Sequence, residues 1–131
     1  KTFSEDMNYL IEREFDYKYD LRKNLPTQRG IEAKTNFAPM QRFVWTQNFG
    51  VITKGLTEYE VNKNNLNITI LRSTGIISTP KNPSRTTPAG PPIKNILAQQ
   101  LGKNTAEFSV GFFNIEDWQE KIKEVYPDYL I

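Results

Sequence analysis

The sequence contains no cysteine and no histidine. The first absence excludes disulfides, a thiolate nucleophile and cysteine zinc sites, and it leaves the redox compartment open. The second removes the commonest metal ligand and the commonest general base together. A Ser-His-Asp triad cannot be assembled from this chain alone. Long apolar runs are missing too: no stretch approaches the roughly 20 residues needed to cross a bilayer. The opening "KTFSEDMNYL" lacks an apolar core and a cleavage site, so no signal peptide is expected there. The chain starts on lysine and reads as a piece cut from something longer or as a chain with its leader removed. A net charge of +2 is too small to call for nucleic acid or an anionic membrane as partner.

What is present fits one domain spanning all 131 residues, within the usual range of about 50 to 250. Aromatic side chains make up 12% of it, enough to build a core rather than a disordered chain. Charge is unevenly spread. Residues 1–20 hold six acids and three bases, residues 112–131 five and two, and the stretch between four and twelve. The bases of the middle are scattered singly, which suits the solvated side of several strands.

Local patterning is mostly that of strands. "FDYKYDL" alternates Phe15, Tyr17, Tyr19 and Leu21 against Asp16, Lys18 and Asp20, as a half-buried strand does. Pro26, Gly30 and Pro39 punctuate the connection that follows. "MQRFVWTQ" is rich in aromatic and β-branched residues, and "VITK" is a shorter candidate. "TEYEV" and "LNITILRS" flank the turn "NKNN", predicting an antiparallel hairpin. Five prolines between Pro80 and Pro92 make "STPKNPSRTTPAGPPI" a long loop of polyproline character. "ILAQQLG" is ambiguous between short helix and strand, and "TAEFSVGFF" returns to the strand pattern. "NIEDWQEKIKEVY" is the one good helix, with Asn114 as its expected N-cap and Asp117 at the third position. Ile115, Trp118, Ile122 and Val125 share its apolar face, and Pro127 ends it. The sum is mainly β: an antiparallel β-sandwich with one short C-terminal helix.

Few residues offer chemistry. Glu58 and Glu60 share one face of a predicted strand, with Tyr59 and Val61 pointing inward. A glycosidase needs two carboxyls about 5 to 10 Å apart that flank the scissile bond, and strand neighbours hardly straddle a sugar. The solvent face of a hairpin is the better account. Arg72, with Ile68 and Ile70 on its face, reads as a strand-end guanidinium that satisfies a carboxylate or loop carbonyls. Trp45 and Trp118, with Tyr9, Tyr17 and Tyr19, have the makings of a sugar-stacking platform, yet their spacing is that of core positions. Asn67-Ile68-Thr69 matches a glycosylation acceptor but sits inside a strand. No glycine loop suits phosphate, and no carboxylate cluster has metal spacing.

Five segments follow in a telling order: "PMQRFVW", "GVITKGLTEYEV", "ITILRSTGIIS", "NPSRTTPAGPP" and "AQQLGKNTAEFSVGFF". Together they resemble the C-terminal β-sandwich region of glycoside hydrolase family 38, the α-mannosidase family, especially its bacterial members. The resemblance covers roughly residues 37–118. It is strongest at "KGLTEYEV", Leu71-Arg72-Ser73 and Ala89-Gly90-Pro91. Phe113-Asn114 stands where a proline–histidine pair often follows the matching strand.

The resemblance implies a sandwich of the galactose mutarotase-like, supersandwich type. It implies a non-catalytic fragment of a zinc-dependent, retaining hydrolase of α-mannosides. Zinc and the aspartate nucleophile would lie in the catalytic domain of the same polypeptide, the expected partner of this chain, and no cofactor is expected in the segment itself. Arg42, Arg72 and Arg85 are the candidates for contact with that domain or with substrate, and the loop from Ser78 to Pro92 for shaping the interface. The alternative expectation is a free-standing carbohydrate-binding or protein-interaction sandwich.

Overall fold

The computed structural model describes residues 2–6, 9–14, 31–62, 65–79, 82, 84, 85, 87–114 and 116–127. The contacts divide the chain into two compact units. The first comprises Lys1–Phe15, Phe37–Thr69 and Ala106–Ile131, the second Asp16–Asn36 and Ile70–Thr105. The fold is mainly β and sandwich-like, with antiparallel sheets and a single short C-terminal helix among the described residues.

In the first unit, strands β1 (Thr2–Asp6), β2 (Tyr9–Arg13), β4 (Phe43–Trp45), β5 (Gly50–Lys54) and β10 (Glu107–Gly111) make one sheet. Its spatial order is β10-β5-β4-β1-β2, and every neighbouring pair is antiparallel. Strands β3 (Phe37–Pro39), β6 (Glu58–Asn62) and β7 (Asn65–Ile68) make the second sheet, in the order β3-β6-β7. Helix α1 runs over Trp118–Val125.

Alternation along β4 explains how these pieces stack. Successive side chains of a strand leave opposite faces. Val44 enters one buried cluster with Ala38, Met40, Val51, Leu56, Tyr59 and Val61, which lies between the two sheets. Phe43 and Trp45 enter another with Trp118 and Ile122 of α1, on the reverse face. All three residues of β4 are fully buried, the mark of a strand covered on both sides. The Tyr59 hydroxyl and the Ser4 hydroxyl, 3.1 Å apart and both buried, tie one sheet to the other with a hydrogen bond.

Two glycines are required by the reverse face. Trp45, Gly50 and Gly111 stand abreast on β4, β5 and β10. The indole lies flat over the glycine row: a Cβ at Gly50 would come within 1.8 Å of it, and one at Gly111 within 3.1 Å. The Phe113 ring stacks on Trp45 at 5.2 Å and 4° between planes. Side chains at these positions would push the indole out of its place, so glycine here serves packing rather than a turn.

The hairpin forms as predicted, with register Tyr59↔Ile68, Glu60↔Asn67 and Val61↔Leu66. Its second strand is shorter than the pattern suggested. β7 ends at Ile68, and Ile70 to Ser73 are irregular. The strand expected from Met40 begins only at Phe43, because the Gln41 N–H donates to the Glu5 carbonyl (2.9 Å) and the chain bends there. The helix is later than expected too: Asp117 occupies its N-cap without a side-chain cap bond, and Asn114 only closes a preceding turn. Trp118 and Ile122 are buried as foreseen, whereas Val125 is exposed. The expected strand at Phe15 to Leu21 and the Ile115 position lie outside the described residues.

The second unit has less regular structure. β8 (Ile76–Ile77) pairs with β9 (Ile93–Lys94), so the proline-rich stretch closes a loop between two short strands. The Ser78 hydroxyl, on a residue with φ of 58°, donates to the Gly90 carbonyl (2.8 Å) and accepts the Gly90 N–H (2.6 Å). The ambiguous "ILAQQLG" becomes a 3₁₀ turn at Ile96–Gln99, ended by Gln100 in the left-handed region. Ile76, Ile77, Ile93, Ile96, Leu97 and Leu101 are all exposed. Among the described residues no helix is long and apolar enough to cross a membrane.

Candidate functional site

The paired glutamates of the hairpin have internal partners. Thr69 Oγ1 donates to Glu58 (2.8 Å), and Asn67 Nδ2 donates to Glu60 (3.0 Å). Both carboxylates therefore finish the surface of the β6–β7 ladder, and Asn67 of the acceptor-like tripeptide is part of it. Cross-strand polar pairs of this kind stabilise a sheet by a few tenths of a kcal/mol to about 1 kcal/mol each. Trp45 and Trp118 are buried, which makes them core and not a platform for sugars.

The strongest charged constellation lies on the helix side of the five-stranded sheet. Glu5 has 0% exposure, and both of its carboxylate oxygens are held by Arg42, through Nε (2.6 Å) and through Nη2. The Arg42 guanidinium in turn lies 5.0 Å from the centre of the Tyr126 ring. Burial pushes the Tyr126 phenol above its ordinary value; Arg42 pulls it back and Glu5 adds to the rise. A fork-to-fork pair capped by an aromatic face gives a buried carboxylate hydrogen-bond donors for both of its oxygens. It is also closed: the lone pairs that could take a proton from a substrate are already committed to Arg42.

Arg85 makes a single ion-pair contact, from Nη2 to the exposed Glu32, in the other unit. Its Nε is buried and finds no acceptor among the described residues. Arg72 is exposed in the irregular segment after β7. Of the three arginines singled out from the sequence, Arg42 belongs to the first unit, and Arg72 and Arg85 to the second. Glu5, Glu32 and Tyr126, which complete the ion pairs and the aromatic lid, were not foreseen. Thr2–Asp6 has one apolar side chain, Phe3, and so no alternation to betray a strand. The available signal was Arg42 itself, a cation one residue ahead of a fully buried strand that needed a carboxylate nearby.

Of the recesses among the described residues, two stand out by their lining. One of ≈ 370 Å³ opens at the start of α1, lined by Asn48, Phe112, Phe113, Asn114, Asp117 and Lys121 among others. Phe112 is 78% exposed there, and Lys121, its pKa raised by a hydrogen bond from its ammonium to Glu124, caps the far side. The other, ≈ 650 Å³ and mostly apolar, is an open hollow beside β8, β9 and the 3₁₀ turn, with Lys94 at its edge. Among the described residues no three of His, Cys, Asp and Glu come together to hold a metal ion.

Comparisons of the chain with protein-family models, with curated proteins and with solved structures find no match.

Proposed function

We propose that this chain is the non-catalytic C-terminal β-sandwich region of an α-mannosidase-like glycoside hydrolase. Its work is structural: it packs against the catalytic domain of the same polypeptide and helps shape the rim of the substrate cleft. The observation that carries this reading is the run of five sequence segments, in family order, between Phe37 and Trp118. Several ordered segments are far more specific than one. Two structural facts support it. The carboxylates of the most distinctive segment accept hydrogen bonds from Thr69 and Asn67 of their own hairpin, as the surface of a scaffold strand would have them do. The second unit exposes nine large apolar side chains among its described residues, more than a surface meant only for water usually gathers.

The zinc of such an enzyme has no fitting donor set here, since the chain lacks histidine and its described acids do not converge. Zinc and the hydrolytic step accordingly belong to the catalytic domain, and no step is assigned to these residues. Arg72, exposed beside the apolar side chains of its unit, is the best contact residue; Arg42 and Arg85 act indirectly, by fixing the elements that carry them. The α-mannoside is a partner through the parent enzyme. Sequencing the coding DNA upstream of Lys1 tests the proposal. Several hundred in-frame residues with His and Asp zinc-ligand segments are expected, and a start codon close to Lys1 overturns it.

The recess beside Phe112 favours a second reading, a free-standing carbohydrate-binding module. An exposed aromatic ring flanked by asparagine and aspartate side chains suits a sugar. Calorimetric titration of the chain with α-mannosides separates the two: binding lost in Phe112→Ala supports the module, and no heat supports the scaffold.

A further inference from the structure

The sheet edges of the first unit are not treated alike. Unpaired strand edges invite another strand, and proteins blunt them with charge, proline or shortness. β2, one edge of the large sheet, carries Glu12 and Arg13. β3, an edge of the small sheet, is three residues long and ends in Pro39. β10, the other edge of the large sheet, has five residues and a single charge, Glu107 at its start, which is 3.4 Å from Lys54 of its own neighbour β5.

The polarity of this edge can be worked out. The Thr53 N–H donates to the Arg42 carbonyl (2.6 Å), so Thr53 turns its backbone groups away from β10. Backbone groups alternate sides along a strand, so Ile52 and Lys54 turn theirs toward β10, to meet Ser109 and Glu107. The N–H and C=O groups of Phe108 and Val110 consequently point outward from the edge. The side chains of Phe108 and Val110 are themselves exposed, and so is that of Phe112, just past the end of the strand.

We infer that β10 pairs with β10 of a second copy of this chain, antiparallel and centred on Val110. The occupant follows from the segment's self-complementarity. In this register Val110 meets Val110 as a hydrogen-bonded pair built from the outward groups just identified, and Phe108 comes opposite Phe112, the first residue after the strand. Aromatic cross-strand pairs are among the more stabilising combinations. On the reverse face Ser109 meets Gly111, small against small. Glu107 meets Phe113, so the one charge of the strand never faces its like. A ten-stranded sheet results, and the exposed apolar row of each copy is covered by the other. The inference needs only the edge geometry and stands whether or not the enzymatic reading does.

Sedimentation equilibrium of the chain over a wide concentration range tests it. The mass is expected to rise with concentration from 15.2 kDa to twice that value. Val110→Pro removes an outward N–H at a position where an edge strand tolerates proline. Phe108→Lys puts a charge into the apolar row. Both variants are expected to lose association while keeping the circular dichroism spectrum of the parent. Because the chain has no cysteine, Val110→Cys offers a unique thiol on the two-fold axis, with Cα atoms about 5.5 Å apart, within disulfide reach. Oxidation should link it to its own copy, whereas Glu12→Cys on β2 should stay unlinked. A parent mass fixed at 15.2 kDa, undiminished association of Phe108→Lys, or equal cross-linking of the two thiol variants overturns the inference.

Discussion

The two units handle apolar side chains in opposite ways. In the first, β4 is covered on both faces, and the large residues Phe43, Trp45, Met40 and Tyr59 have almost no exposure. In the second, isoleucines of β8, β9 and the 3₁₀ turn stay in contact with solvent, and Leu97 is 93% exposed. Strands that stack in layers give each apolar face a partner. Among the described residues of the second unit, the two-residue ladder that closes the proline-rich loop leaves its isoleucines exposed. The first unit thus has a closed core and leaves apolar side chains exposed chiefly along β10 and just after it, whereas the described apolar residues of the second are mostly at its surface.

Substitutions that should break this contrast can be ranked. The largest effect is expected for Tyr59→Ala, about 4 kcal/mol by denaturant unfolding, because it deletes a buried ring and strands the Ser4 hydroxyl. An unchanged midpoint would place the ring outside the core. Gly50→Ala follows at about 3 kcal/mol, since the new methyl would collide with the Trp45 indole and evict it from the glycine row. A further change of Trp45 to leucine should recover part of that loss, which a purely conformational effect at Gly50 would not allow. Arg42→Ala should cost about 3 kcal/mol by leaving the Glu5 carboxylate buried and unpaired. Adding Glu5→Gln should restore most of it; a double variant no better than the single one would mean that Glu5 was not the victim. At the bottom stands Leu97→Ser in the second unit, expected to shift stability by less than about 0.5 kcal/mol. A loss comparable with that of Tyr59→Ala would abolish the contrast.

A pH series sharpens the Arg42 cluster. The phenol of Tyr126 titrates above its ordinary value of 10.0, chiefly through burial. A group whose folded pKa is raised contributes stability that is complete below the unfolded pKa and fades as pH rises through the folded one. The difference in melting temperature between the parent and Tyr126→Phe should therefore be constant below pH 10 and shift against the parent above it. A difference that stays level through the alkaline range would dismiss the coupling.

Much of the first unit was legible. Tyr59 and Val61 alternate with two glutamates around an asparagine-rich turn, and one strong local pattern of this kind fixes a hairpin and its inner face. Trp118 and Ile122 gave the helix its buried side for the same reason. The glycines opposite Trp45 were not readable, since nothing local says that residues 45, 50 and 111 stand in a row; only sheet order does. Glu5 stayed hidden because its partner is 37 positions away and β1 borrows its strand conformation from its neighbours. The end of β7 was overestimated, as "ILRS" is as apolar and β-branched as a strand while lying past the last residue that β6 can pair. Of the candidate site, the sequence offered the cations and the folded chain supplied their anions.

Both tryptophans of the chain, Trp45 and Trp118, lie in the cluster between the large sheet and α1, and none lies between the two sheets. Intrinsic indole emission therefore watches one layer only. A helix that lifts off while the sheets stay together would look like complete unfolding in that signal. Tyrosine-based or far-ultraviolet readouts, which see Tyr59 and the strands, would lag behind it, and the gap between the two curves would measure how tightly the helix layer is coupled to the rest.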